Sequence, residues 1–450
     1  MSTVDRSRLH DLMAVERERF VASHRRSGQL AAEAGRHLLG GVPMAWMTRW
    51  PGSHPVFFAE AHGARITDVD GNEYVDLALG DTGAMTGHGL PVVAEAVARQ
   101  AARGITTMLP SEDAIWVADE LARRFGLPRW QLAMTATDAN RFALRLARAL
   151  TGRRTVVVHD WCYHGTVDET LVTVDAHGRT VARPTNLGPQ VDPSLTTRVV
   201  QFNDVDGLAE ALAPGDVACV LAEPALTNIG IVLPDPGYHD ALRRLTRDTG
   251  TLLVIDETHT ICAGPGGATA AWGLEPDLLT IGKPLGGGVP AAAYGLTQVL
   301  ADRLADVLHA DGIDVSGIGG TLTGNALSVA AMRATLASAL REEDFAVAVP
   351  LAERWAGGVA GVIAQHDLSW TVQRLGCRAE YWFCPPPRNG AAAAAAVDGE
   401  LDAFLHLHAL NRGVLLTPFH NMALLSSSHT EADVDRHTEV FSEGVAALVV

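Results

Sequence analysis

Apolar residues recur at helical spacing from about residue 5 to residue 38, among many Arg, Glu and Ala, until Gly40-Gly41-Val42-Pro43 breaks the pattern. The stretch 64–77 alternates instead, around an Asp70-Gly71-Asn72 turn, and predicts a hairpin. From about 90 to 290 short apolar runs alternate with helical patterns. Strands are predicted over 155–158, 197–201, 218–222, 252–255 and 278–281, with helices such as 141–150 and 238–249 among them. This alternation predicts an α/β fold, a mainly parallel sheet covered by helices on both faces. In such sheets a ligand sits beyond the carboxyl ends of the strands. Beyond about 330 a helix over 326–340, further strands and a last helix from Glu431 predict a smaller α+β domain, completed by the N-terminal segment. The expected division is 1–75 in the small domain, 76–325 in the large one and 326–450 back in the small one.

Composition narrows the picture. At 450 residues the chain exceeds the ~250–300 residues of one core, so two domains are expected. A net charge of −17 argues against nucleic acid or an anionic membrane as partner. An anionic cofactor would need local donors against that field. The five cysteines are odd in number and lack paired ligand spacing, which predicts reduced thiols in a cytoplasmic protein and no metal site. The start of the chain has no apolar signal core, and no stretch reads as a membrane span of ~20 apolar residues. The run 391–396 reads as a loop or short helix.

Of the 35 Lys and Arg residues only Lys283 is a lysine. It follows the apolar run 278–281 and Gly282, and precedes Pro284-Leu285-Gly286-Gly287-Gly288, a poor place for a solvated cation. A desolvated lysine can become a neutral amine and form a Schiff base with a carbonyl, which arginine cannot. The competing reading is one exposed lysine surviving by chance. Two carboxylates end the preceding strands, Glu223 after 218–222 and Asp256 after 252–255, so three ionisable groups should converge on one crevice. A buried carboxylate needs a cationic partner, and a protonated pyridine nitrogen would serve Asp256; capping the next helix is the alternative. For Glu223, followed by Pro224, a structural role stands beside the functional one. Thr135-Ala136-Thr137-Asp138-Ala139-Asn140 precedes the predicted 141–150 helix and could cradle a phosphate, or simply cap that helix. Trp161-Cys162-Tyr163-His164-Gly165 follows strand 155–158 and offers an aromatic ring to a cofactor, or ordinary packing. Phosphate-loop, dinucleotide, nucleophile-elbow and H-E-x-x-H motifs are missing.

These stretches resemble the class III aminotransferases of pyridoxal-phosphate fold type I, especially the branch containing glutamate-1-semialdehyde aminomutases. The carrying residues are 253–260, Glu275-Pro276-Asp277 through Lys283, and Gly286-Gly287-Gly288-Val289-Pro290. Gly320-Thr321-Leu322-Thr323-Gly324-Asn325, 147–153 and Tyr163-His164-Gly165 add to them, in order over most of the chain. The resemblance implies pyridoxal 5'-phosphate as cofactor, bound by Lys283 as a Schiff base and paired through its ring nitrogen with Asp256. Tyr163 would stack on the ring, Ala136 and Thr137 would bind phosphate, and His164 and Glu223 would complete the cofactor-binding set. Thr321 would join from the second subunit of a homodimer. Ala136 departs from the glycine usual in the family's phosphate loop, adding a methyl and restricting φ to negative values. Ile261-Cys262-Ala263 departs at the rim. The implied activity is transfer of an amino group between an amine donor and a carbonyl acceptor. Intramolecular transfer, epimerisation or decarboxylation are alternatives on the same core, and a cofactor-binding protein without turnover belongs to another class. For the substrate, Trp46 and Arg49 in the 46–50 segment, Arg378 and His420 are candidates. The aromatic and Met-rich N-terminal segment favours an apolar or aromatic amine or a β-amino acid.

Overall fold

The structure is a computed structural model that describes residues 4–308 and 315–449. By backbone proximity the chain divides into two compact units: Pro91–Glu342 with Pro387–Ala395, and the remainder.

The first of these is built on a seven-stranded sheet. Its strands are β1 (Arg129–Ala133), β2 (Thr155–His159), β3 (Thr197–Val200), β4 (Val217–Ala222), β5 (Leu252–Asp256), β6 (Leu278–Ile281) and β7 (Ala292–Leu296). Their order is β1-β7-β6-β5-β4-β2-β3. β7 runs antiparallel to β6 and β1, and the other pairs are parallel. Buried on both faces, β4, β5 and β6 are apolar almost throughout, which made them legible as continuous runs. On one face Val157, Val220, Leu253 and Ile255 pack with Leu208, Leu212 and Leu242 from the helices Val205–Leu212 and Tyr238–Asp248. The amphipathic helix Ala136–Thr151 buries Ala139, Phe142, Ala143, Leu146 and Leu150. It starts earlier than predicted, because the Thr135 hydroxyl accepts from Asp138 N and caps it. The 136–140 stretch is therefore the helix's first turn, not the loop before it.

The helix Ala326–Ser338 packs on Pro91–Ala101 and Glu112–Phe125, so it belongs to this unit and not, as expected, to the C-terminal one. Its end is held by Arg124, which donates to the carbonyls of Leu336 (2.7 Å) and Leu340 (2.6 Å). The short helix Gly390–Ala395 also joins, through bonds such as Asn203 Nδ2 to the Arg388 carbonyl at 2.8 Å.

The other unit extends past the expected boundary at 75 because Leu77 N donates to Leu415 O and Leu77 O accepts from Leu424 N. It contains the predicted hairpin as Arg65–Asp68 and Glu73–Asp76, and an antiparallel sheet of Thr371–Leu375, Arg378–Trp382 and Met422–Leu424. The final helix, Glu431–Leu448, opens on a reciprocal cap between Thr430 and Asp433. Among the described residues one helix, Glu342–Gln365, has the length and composition to cross a membrane, where the sequence predicts no span. It carries Pro350 inside and buries Phe345, Leu351, Ala352, Trp355 and Val359, the pattern of a core helix.

Candidate active site

Three neighbouring strands of the larger unit end in the three ionisable residues singled out from the sequence. Asp256 closes β5, Glu223 follows β4 and Lys283 follows β6 after Gly282. Side chains alternate along a strand, so Asp256 lies on the face opposite Ile255. That orientation aims it at the Ala136–Thr151 helix, where Asn140 Nδ2 donates to its Oδ2 at 2.7 Å. His164 Nδ1 donates to the same oxygen at 2.9 Å, and Thr258 N donates to Oδ1 at 3.0 Å. Burial raises the Asp256 pKa, but the bonds and charge of His164, with Thr258 and Asn140, more than offset it, so the carboxyl stays below its ordinary range. Burial likewise works against a charged His164, yet Cys162 and Asp256 hold it well above the usual imidazole value.

Asn140 is the connector that sequence reasoning missed. Its Oδ1 accepts from Thr280 Oγ1 of β6 at 2.6 Å, and its Nδ2 also reaches the His164 carbonyl at 3.2 Å. One amide thus fixes β5, β6 and the 161–165 loop together. Glu223 serves that same loop: Oε1 accepts from Tyr163 N at 3.2 Å and Oε2 from Thr227 N at 3.0 Å and the Thr227 hydroxyl. Burial pushes its pKa up. Tyr163 itself is half-buried.

The helix start lies against Lys283. A β-carbon on Gly282 would stand 3.0 Å from both the nitrogen and the methyl of Ala136, so glycine lets the two backbones approach without displacing the helix start. Ala136 is the first helical residue and is not among the positive-φ positions, so the methyl that departs from the family's glycine causes no backbone strain there. Thr137 Oγ1 accepts from Thr166 N at 3.1 Å, and a β-carbon on Gly165, at φ 78°, would fall 2.1 Å from that oxygen. The N–H groups of a helix's first turn have no carbonyl one turn back, which leaves them for an anion. Lys283 is half-buried at φ 45°, with Nζ 2.6 Å from His259 Nε2. His259 was inside a recognised stretch but had been given no role. Thr321 lies exposed in a turn just before the Ala326–Ser338 helix.

The substrate candidates lie in the other unit. Trp46 and Arg49 are exposed on the turn Ala45–Arg49, and Trp46 meets Phe419 edge-on with centroids 5.5 Å apart. Arg378 and His420 are both buried on Glu380, at 3.2 Å and 3.1 Å. Burial raises the Glu380 pKa, but the charges of His420 and Arg378 bring it below the usual value. Arg378 therefore already has a carboxylate partner. No group of His, Cys, Asp and Glu able to hold a metal occurs among the described residues.

An amine able to carry an aldehyde, a buried carboxylate kept ionised and a helix start open to phosphate are demands of a single cofactor. The sheet that meets them, with one antiparallel strand, is that of the fold type I pyridoxal-phosphate enzymes. Residues 47–354 match the family model described as aminotransferase class-III. The glutamate-1-semialdehyde 2,1-aminomutase of Desulfitobacterium hafniense is 34% identical over 419 residues, 91% of this chain and 95% of that one. The crystal structure of a glutamate-1-semialdehyde-aminomutase from Pseudomonas aeruginosa PAO1, a lysine-to-alanine variant in complex with PMP, is 50% identical. It covers 99% of both chains with a TM-score of 0.97. A β-phenylalanine aminotransferase from Variovorax paradoxus is 26% identical over 97% of each chain, TM-score 0.86. This chain belongs to the class III aminotransferase family.

Proposed function

We propose that the protein binds pyridoxal phosphate and moves an amino group within one substrate, as an aminomutase of the glutamate-1-semialdehyde type. The observation that carries the amino-transfer chemistry is the placement of Lys283 and ionised Asp256 at adjacent strand ends. The aminomutase reading is supported by relatives of that name at 34% and 50% identity over nearly the whole chain. It takes precedence over the expected exchange between separate donor and acceptor. That second reading keeps the support of the V. paradoxus likeness and of the exposed aromatic pair Trp46 and Phe419, which would suit an apolar amine.

When bound, pyridoxal phosphate supplies an electron sink for the pair left as a proton leaves the carbon bearing the amine. Lys283 would hold the cofactor's aldehyde through Nζ, and its amine is the base placed to take that proton and return it at a neighbouring atom. Asp256, itself held by Asn140, His164 and Thr258, would pair with the cofactor's ring nitrogen and keep a proton on it. The first turn of the Ala136–Thr151 helix would hold the phosphate and Tyr163 would lie against the ring. We infer that Thr321 of a second copy completes the phosphate site, making the working form a homodimer. The five cysteines, none of them in a disulfide, suit the reducing cytoplasm.

The test is to supply glutamate-1-semialdehyde to the cofactor-loaded protein without any carbonyl acceptor. Sustained conversion to the isomer carrying the amine on carbon 1 is expected, with none from Lys283→Arg. Conversion that stops near one equivalent and resumes only with added acceptor would overturn the mutase reading in favour of transamination. The same sample reports cofactor linkage as a band near ~420 nm, and amine transfer to the cofactor as one near ~330 nm.

A further inference from the structure

We propose that His259 is the proton partner of Lys283. Its Nε2 takes the proton that the Lys283 ammonium must lose before the amine can add to a carbonyl. This rests on Lys283 being the cofactor-bearing amine and names how this chain prepares it. The two nitrogens lie 2.6 Å apart, and His259 is only 9% exposed. At that separation two positive charges would repel, so the contact favours one proton between the two nitrogens over two. In the transfer the Nζ–H bond breaks and an Nε2–H bond forms, with no other reactant.

The imidazole is held where this step needs it. His259 follows β5 three residues after Asp256, and anchors bracket it. On one side Thr258 N donates to Asp256 Oδ1 at 3.0 Å, and Glu257 N donates to Thr280 O of β6 at 2.9 Å. On the other, the buried Glu257 carboxylate accepts from Thr260 Oγ1 at 2.5 Å, from Ala268 N at 3.2 Å and from Thr269 N. Cys262 N donates to the His259 carbonyl at 3.2 Å. Other ionisable groups at these strand ends include Asp256 and Glu257 of the same segment, Cys262 of the following turn, His159, Asp160, Cys162, Tyr163 and His164 at the end of β2, and Glu223 after β4. His259 acts through Lys283 and is thus a positioning residue.

Because Lys283 is the only lysine, its reactivity can be read directly in the cofactor-free protein. The rate of its modification by trinitrobenzenesulfonate is followed against pH, with Lys283→Arg giving the background from the α-amino group. A shared proton gives the wild type two rises separated by a plateau, the fraction in which Nε2 holds the proton and the amine is free. His259→Gln keeps a hydrogen-bonding side chain but cannot titrate. It should show one rise and no plateau. Superimposable profiles for the two proteins would overturn the proposal, whatever the variant's melting temperature. If circular dichroism shows that His259→Gln is unfolded, the wild-type profile decides alone, and a single rise overturns the proposal. Either failure leaves Lys283 as cofactor carrier standing, since the ~420 nm band reads that separately.

Discussion

Lys283 occupies the left-handed region at φ 45°, where a β-carbon makes the backbone costly by roughly 1–3 kcal/mol. Strain of that kind persists only where the surroundings fix the residue, and here Pro284 and Leu285 are buried immediately beyond it. The chain thus holds its one lysine in a single direction. Asp256 is fixed differently, by three donors that all favour the ionised carboxylate. Asp256→Asn should keep the shape but lose the charge that retains a proton on the cofactor ring. The expected outcome is a fall of roughly 10²–10³-fold in the amine-dependent single-turnover rate, the scale for removing one aimed electrostatic group. The ~420 nm band should persist and the melting temperature should change little, which separates this loss from misfolding. A rate within about twofold of wild type would remove Asp256 from the chemistry.

Among the elements, the Ala326–Ser338 helix shows how a single side chain can decide where a segment belongs. Arg124, buried, satisfies the carbonyls of Leu336 and Leu340 at that helix's end while its Nε pairs with Glu120 at 2.7 Å. Arg124→Ala would leave the buried carbonyls of Leu336 and Leu340 without that donor, while Glu120 keeps its bonds from Arg123, at a cost of about 2–4 kcal/mol. Urea unfolding should show it as a lower midpoint at unchanged slope. Arg124→Lys should recover only part, because one ammonium cannot reproduce the guanidinium's fork. The elements legible in the sequence were those with unbroken physical signals. β4, β5 and β6, covered on both faces, read as apolar runs, whereas edge strand β1 carries exposed Arg129 and Gln131. β7 is Ala-Ala-Tyr-Gly-Leu, whose composition is weak for a strand. The site followed the same logic. Glu223, Asp256 and Lys283 announce themselves by ending strands, but Asn140 and His259 gain meaning only from partners 116 and 24 residues away.

At the scale of the whole molecule, charge sets a conflict that the site must resolve. The chain carries a net charge of −17, yet the proposed phosphate site takes a dianionic cofactor. The far field opposes approach, while the first turn of the Ala136–Thr151 helix attracts over a few ångströms. Salt distinguishes the two ranges. Raising ionic strength from 10 to 100 mM shortens the screening length from ~30 Å to ~10 Å, which weakens distant charges far more than contacts at hydrogen-bond distance. If the global field governs encounter, the association rate constant of pyridoxal phosphate should rise several-fold over that interval, while its dissociation rate changes much less. Stopped-flow absorbance with the cofactor-free protein measures both. A rate constant that falls with salt would mean that a local positive field reaches well beyond the helix start and steers the cofactor in. Lys283 and the first turn of the Ala136–Thr151 helix would then guide entry as well as binding, and the net charge would be irrelevant to capture.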